Sequence, residues 1–420
     1  MKEKHLNGHE LHPETLALSY GYDPKLSEGS IKPPIFLTST FQFNSAEDGK
    51  SFFELAYGLR TKNEGEIPGL IYSRINNPNL QIFEERIAIW DKAEMGAVFA
   101  SGMAAISTTM WAILRPGDAV LSSCPIYGGT HYLFQKILPQ FGITTSQVAC
   151  GRNVADELRR EAEKVGIEKV RVLYIETPAN PSNLLIDIAA VAEVAAELTQ
   201  RTGKKVYTVV DNTFLGPIFQ TPSLHGADLT IYSATKFIGG HSDLVAGVVT
   251  GPKAIMDLIT GFRTILGTVA TPFTGWLLLR SLETLSVRMR RQEKSARTIA
   301  DYLKGHPKVS QVLYPGLLDP SDPQFAVYEK QCTGAGSLIS FEVKGGEEEA
   351  FKVLNRFKIC RLAVSLGGTE SLVEHPMTMT HSDIPRAELE LINVTPGLIR
   401  ISVGIEHEDD LLADLAQALG

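Results

Sequence analysis

Cysteine is scarce in this sequence: Cys124, Cys150, Cys332 and Cys360 are the four it has in 420 residues. They form no C-x-x-C pair and accompany no histidine ligand pattern, so neither a disulfide framework nor a zinc or other metal site is expected. Runs of basic residues are missing too, and the formal net charge is −8 with a pI near 5.8. That balance argues against a general surface for nucleic acid or anionic membrane. No segment approaches the length of a membrane span, and residues 1–10 lack the apolar core of a signal peptide, so the cytoplasm is the expected compartment. Small molecules remain as partners.

What the chain does have is apolar content, 44% of its residues, enough for a large core, and a length that favours two domains. From about Glu94 to Gly251, short β-rich runs alternate with helical stretches, the pattern of βα units around a mostly parallel sheet. Ala97 to Ala100, Ala119 to Ser122 and Val170 to Ile175 read as strands. Leu80, Phe83, Ile87 and Trp90 stand at helical spacing. From about Phe273 the pattern becomes one long helix, Gly275 to Tyr302, then strands mixed with helices, including 336–343 and 398–403. The first 60 or so residues show little periodicity and read as an extended arm. Because ligands collect beyond the carboxyl ends of strands in such sheets, Ser101, Tyr127, Glu176, Asp211 and Ser233 are the positions to inspect.

Lys236 ends the apolar run that begins at Asp228. An ammonium at the end of a buried strand loses hydration, which lowers its pKa and makes the free amine, a nucleophile toward aldehydes, accessible. A second run, Val206 to Val210, ends in Asp211, so two strands deliver an acid and an amine to one rim. Pyridoxal 5′-phosphate (PLP) needs that pair, a lysine for its aldehyde and a carboxylate to keep its ring nitrogen protonated. Taken singly, the lysine also reads as a solvated cap and the aspartate as a helix cap or turn former. Ser233 and Thr235, two apart on an extended segment, face the same way, as a phosphate cradle requires.

Ser101-Gly102-Met103 opens a helix running to about Leu114, and a small-residue turn at a helix N-terminus suits a phosphate; simple capping by Ser101 is the ordinary alternative. Tyr72 and Arg74 sit in a Gly/Pro/Asn-rich loop and offer a hydroxyl and a forked donor. Tyr127, followed by Gly128 and Gly129, places an aromatic ring where something planar can approach. Arg400 lies inside an apolar strand and needs a partner, either a substrate carboxylate or a structural salt bridge.

Together these segments resemble the Cys/Met-metabolism family of PLP enzymes, fold type I, over about Leu16 to the C-terminus. The family includes cystathionine γ-synthase, cystathionine γ-lyase, methionine γ-lyase and O-acetylhomoserine sulfhydrylase. The most specific match is Asp228 to Lys236 with Gly239-Gly240-His241-Ser242-Asp243. Tyr72-Ser73-Arg74, Ser101-Gly102-Met103, Glu176 to Pro181, Asp211-Asn212-Thr213 and Ser365 to Gly368 with Glu370-Ser371-Leu372 support it.

The resemblance implies an α/β, aspartate-aminotransferase-like fold with a mostly parallel central sheet. It divides the chain into an arm at the subunit interface (1–65), a large PLP-binding domain (66–272) and a C-terminal α+β domain (273–420). By matching position, Lys236 would bind the PLP aldehyde and later shuttle protons, Asp211 would pair with the ring nitrogen, and Tyr127 would stack on the ring and share in proton transfer. Gly102, Met103, Ser233 and Thr235 would hold the phosphate, with Ser101 and Thr213 in the same cofactor-binding set. Tyr72 and Arg74 would reach that phosphate from a neighbouring subunit, so that the active unit is a homodimer, usually within a homotetramer. Arg400, with Ser365 and Asn180, would hold the substrate carboxylate, which decides the Arg400 question in favour of function.

The implied reaction is γ-elimination on methionine or a related S-substituted homocysteine, giving 2-oxobutanoate, ammonia and a thiol. The alternative is γ-replacement, as in cystathionine γ-synthase or an O-acylhomoserine sulfhydrylase. Glu370 to Pro376 and Met379 to Ser382 favour the lyases and cystathionine γ-synthase over the sulfhydrylases. Gly129, however, stands where the methionine γ-lyases carry a cysteine. The stretch 52–68 is longer than the usual link in the family and is expected to shape the substrate entrance or the subunit contact.

Overall fold

The computed structural model describes residues 3–420 except 65, 67, 150–152, 383–388 and 390–392; Cys150 and parts of the 52–68 stretch thus lie outside the described residues. Seven strands make the central sheet: β1 (Met95–Phe99), β2 (Ala119–Cys124), β3 (Thr144–Ala149), β4 (Val170–Glu176), β5 (Tyr207–Asp211), β6 (Leu229–Tyr232) and β7 (Gly247–Gly251). Their spatial order is β1-β7-β6-β5-β4-β2-β3. Strands β2 to β6 run parallel, while β7 is antiparallel to both β6 and β1. The sheet is therefore mixed, with the expected parallel majority.

Both faces of this sheet are covered. Val209 packs among Ile106, Met110 and Ile259 on one side, whereas Val210, its neighbour, packs among Leu158, Val191 and Leu198 on the other. Strands buried on two faces read as continuous apolar runs. In register, Glu176 pairs with Asp211 and Asp211 with Ile231, so parallel strands end level and their last polar residues share one rim. The predicted helix spans Pro78–Trp90, with proline in its first turn and Asn77 capping it by accepting the Asn79 N–H at 3.0 Å. Leu80, Phe83, Ile87 and Trp90 are all buried.

A second sheet contains β8 (Val309–Leu313), β9 (Leu338–Val343), β10 (Arg361–Leu362), β11 (Leu372–Glu374) and β12 (Leu398–Ser402), in the order β8-β9-β12-β11-β10. Glu374 and Arg400 stand directly opposite each other in the antiparallel β11–β12 pair, which puts their side chains on one face.

Two expectations need correction. The long helix is two helices, Pro272–Leu282 and Leu285–Gly305. Between them Thr284 donates its N–H to the Ser281 carbonyl, at 3.2 Å, and its hydroxyl to the same oxygen, at 3.3 Å; such local bonding by a short hydroxyl side chain competes with the helix ladder. The arm is also not uniformly extended. It holds helices Pro13–Ser19 and Ala46–Ala56, too short to show a long periodic pattern. The first is fastened where buried Arg86 donates to the carbonyls of Ala17 and Tyr20, at 2.7 and 2.9 Å. After the second, Arg60 clasps Glu66 and the Ser51 hydroxyl, each at 2.5 Å.

Candidate active site

A cavity of about 330 Å³ opens beyond the carboxyl ends of β4, β5 and β6. Of the predicted site residues, Ser101, Gly102, Met103, Tyr127, Asn180, Asp211, Thr213, Ser233, Thr235, Lys236, Ser365 and Arg400 all line it. Tyr72 and Arg74 do not. They lie on the surface, Arg74 stacked 5.9 Å from the Tyr72 ring and donating to the Thr264 carbonyl.

Lys236 follows β6 in a tight turn, its N–H on the Ser233 carbonyl at 3.0 Å. Its Nζ donates to Ser365 Oγ at 2.9 Å. Burial pulls its pKa down to about 8, the Arg400 charge adds to that effect, and Glu374 opposes it. The sequence expectation of a poorly hydrated amine is thus met in the geometry. Ser365 itself holds φ at +96°, a conformation that residues with a Cβ seldom adopt. Its carbonyl is secured by Arg400 Nη2 at 2.8 Å.

Asp211 is 7% exposed. Its Oδ1 accepts the Thr213 hydroxyl at 2.6 Å and the Thr213 N–H at 3.1 Å, and Tyr174 donates to Oδ2 at 3.3 Å. The Thr213 hydroxyl accepts the Ser233 N–H at 2.9 Å, which ties the end of β5 to the end of β6. Burial raises the pKa of Asp211 while these bonds lower it, so a cationic N–H reaching it from the cavity would be strongly favoured.

Beside it, Glu176 uses both oxygens, accepting the N–H of Tyr127 at 2.7 Å and of Asn180 at 2.9 Å. Burial, and then the Asp211 charge, push its pKa up against those two bonds. The two amide donors aimed at separate oxygens are the geometry of an ionised carboxylate.

At the other end of the cavity, Ser101 Oγ caps the helix Gly102–Ile113 by accepting the Ala104 N–H at 3.0 Å. The first turn leaves the N–H groups of Gly102 and Met103 without intrahelical acceptors, at the positive end of the helix dipole. A Cβ on Gly102 would come within 3.0 Å of Ser233 Cβ and 3.1 Å of its Oγ, so glycine keeps open the gap between helix start and Ser233. Tyr127 is 46% exposed. A Cβ at Gly129 would sit 2.7 Å from Tyr127 Cε1 and 3.0 Å from Met103 Sδ.

Arg400 has the structural partner that a buried arginine needs: Nη1 lies 2.7 Å from Glu374 Oε1 and donates to Asn180 Oδ1 at 2.9 Å. Glu374 was not among the predicted site residues, and Glu176 was singled out by position without a role. The signal for Glu176 was available, a carboxylate closing an apolar strand beside Asp211. For Glu374 the only signal was its place three residues beyond Ser371 in the family-like segment.

The donor set fits PLP. An amine of lowered basicity, a buried acid, an aromatic face and an N–H-lined anion end converge on one cavity. The family model for "Cys/Met metabolism PLP-dependent enzyme" matches residues 14–420. An L-methionine gamma-lyase of Fusobacterium nucleatum subsp. nucleatum is 39% identical, covering 100% of this chain and 99% of that protein. The L-methionine gamma-lyase of Pseudomonas putida is 40% identical over 96% of each. Among solved structures, cystathionine gamma synthase from Xanthomonas oryzae pv. oryzae, in complex with aminoacrylate and cysteine, superposes with a TM-score of 0.85 at 33% identity, covering 97% of both chains. With matches that run from the N-terminal helix to the last residue, the chain belongs to the Cys/Met-metabolism family of PLP-dependent enzymes, and PLP is its cofactor.

Proposed function

We propose that this enzyme is a carbon–sulfur lyase that carries out γ-elimination on methionine or a related S-substituted homocysteine, releasing 2-oxobutanoate, ammonia and a thiol. The observation that carries the reading is the convergence of Lys236 Nζ, Ser365 and Arg400 above Asp211 in one cavity. The two full-length relatives that are L-methionine gamma-lyases support the choice of substrate. When bound, PLP supplies an electron sink for the negative charge left at Cα.

Lys236 Nζ, kept near neutral basicity by burial, takes the Cα proton and moves protons along the substrate carbon chain. Arg400, Ser365 and Asn180 hold the carboxylate so that Cα faces that amine. Tyr127, which lines the same cavity, would stack on the cofactor ring and share in proton transfer through its hydroxyl. Asp211 would hold the ring nitrogen protonated, and Ser101, Gly102, Met103, Thr213, Ser233 and Thr235 would form the cofactor-binding set around the phosphate.

Tyr72 and Arg74, exposed and outside the lining of their own cavity, are assigned to the phosphate of a neighbouring subunit, which makes a homodimer the active unit and a homotetramer the assembly. The division into an arm (1–65), a PLP-binding domain (66–272) and a C-terminal domain (273–420) belongs to the same reading. So does a role for 52–68 at the entrance or subunit contact. Among the described residues no helix is long and apolar enough to cross a membrane. The free thiols of Cys332 and Cys360 favour a reducing cytoplasm.

The test is a panel of methionine, cystathionine, homocysteine, O-acetylhomoserine and O-succinylhomoserine, each with and without cysteine or sulfide, scored for 2-oxobutanoate against thioether product. Oxoacid from methionine is expected. Thioether from the O-acyl substrates with no oxoacid from any sulfur substrate would replace this reading by γ-replacement.

A further inference from the structure

We propose that Glu374 is the resident counterion of Arg400, and that a substrate carboxylate binds Arg400 together with one proton from solvent, which Glu374 takes up. The inference rests on the reading of Arg400 as the carboxylate site and adds a group that reading does not contain.

The pair is buried, with side chains 1% and 3% exposed. The Arg400 fork is already engaged: Nη1 by Glu374 and Asn180, Nη2 by the Ser365 carbonyl, leaving Nε without a partner among the described residues. Glu374 is held on one oxygen only. Its Oε1 accepts the Thr380 hydroxyl at 3.0 Å, while Oε2 is buried and has no hydrogen-bond partner among the described residues. An ionised oxygen without a donor is costly in such a place, and it is a position where a proton can reside.

Among the described residues, the charged and titratable groups set against Glu374 are Arg400 from β12, Lys236 from the turn after β6 and His375 from the segment that follows β11, with His381 bonded to the Thr380 hydroxyl behind it. Burial raises the pKa of Glu374, and Arg400, Thr380, Lys236 and His375 lower it. A second carboxylate on Arg400 shares the main lowering influence and adds a like charge, so proton affinity at Glu374 rises on binding. One guanidinium facing two carboxylates in a buried site carries an excess negative charge, and one proton removes it. Thr380 lines the cavity and bonds Glu374 Oε1, so a single hydroxyl links the Glu374 carboxylate to the cavity. By linkage, binding is tight where Glu374 is protonated and weakens as pH rises through its pKa.

The test uses holoenzyme and pentanoate, a carboxylate with no amine and no leaving group, titrated calorimetrically in two buffers of different protonation enthalpy. Wild type is expected to take up nearly one proton per pentanoate bound, with Kd weakening about tenfold per pH unit above the Glu374 pKa. Glu374→Gln should take up none and show a flat Kd; Thr380→Val, which removes the donor to ionised Glu374, should shift the weakening to higher pH. The KM for methionine against pH, in wild type and Glu374→Gln, gives the same comparison during turnover. A wild type with flat affinity and no proton uptake overturns the proposal whether or not the variants fold, and so does uptake that persists in Glu374→Gln. If Arg400→Lys leaves pentanoate affinity unchanged, the carboxylate-site reading itself falls; oxoacid production reports separately on the reaction.

Discussion

The carboxylate of Glu176 accepts the backbone N–H of Tyr127 at 2.7 Å. Its other oxygen holds the N–H of Asn180 at 2.9 Å, so one strand-end side chain orients both the aromatic face and the amide that touches Arg400. Glu176→Ala leaves two buried N–H groups without acceptors, each a penalty of about 1–3 kcal/mol; relief of the repulsion with Asp211 offsets part of it. The expected result is a fall in kcat/KM of roughly 10- to 100-fold, smaller in Glu176→Gln, whose amide oxygen still serves one N–H. Steady-state kinetics and near-ultraviolet circular dichroism of the bound cofactor check this, and an unchanged dichroism in Glu176→Ala would remove Glu176 from the positioning of Tyr127.

Asp211 and Lys236 were legible in the sequence because each interrupts an apolar run, and the residue that ends a strand in a parallel sheet is delivered to the rim. Val209-Val210 could be read as buried strand for the same reason. Glu374 could not be read, since its meaning comes from antiparallel register with Arg400 across β11 and β12, and register between strands distant in the chain has no local signature. The direction of β7 was hidden likewise: a short buried run, Gly247 to Gly251, reads the same whichever way it pairs. The break at Thr284 needed knowledge of where its hydroxyl points. Tyr72 and Arg74 illustrate another limit: they line no part of the cavity of their own chain, and a role proposed for them on a neighbouring subunit has no local signature in the sequence.

Arg400→Lys removes a fork that serves Asn180 Oδ1, the Ser365 carbonyl and Glu374 together. An ammonium is a point charge and cannot reproduce it. Losing one or two charge-assisted bonds to the substrate carboxylate, on the order of 1.5–3 kcal/mol, should raise KM by roughly 10- to 150-fold. The fall in kcat should be smaller, because the proton-transfer groups stay. A KM equal to that of wild type would exclude Arg400 from substrate contact.

Gly129→Cys tests what the missing side chain allows. The added Cβ meets Tyr127 Cε1 at 2.7 Å and Met103 Sδ at 3.0 Å, and Tyr127, being nearly half exposed, is the group free to turn. The fold should survive with Tm little changed, while the cofactor's dichroism shifts and the ratio of kcat/KM for methionine to that for cystathionine changes. Wild-type dichroism and an unaltered ratio would mean that the Tyr127 position does not depend on glycine at 129.

Lys236→Met should stabilise the cofactor-free protein at neutral pH, although it abolishes activity and the visible absorbance of lysine-bound PLP. Burial lowers the Lys236 pKa from 10.5 to about 8. Below pH 8 both folded and unfolded chains hold the proton, and the folded chain bears the full penalty of a desolvated ammonium, on the order of 3 kcal/mol. Between the two values the unfolded chain keeps a proton that the folded chain has released, so wild-type stability rises with pH and the penalty fades. Methionine fills the same space without charge and forfeits only the bond to Ser365 Oγ, about 1 kcal/mol. Unfolding free energies of the two cofactor-free proteins in urea should therefore differ by about 2 kcal/mol at pH 7 in favour of Lys236→Met, with the gap closing and then reversing as pH approaches 10.5. A gap that is independent of pH would show that Lys236 is not the desolvated amine on which the proposed chemistry depends.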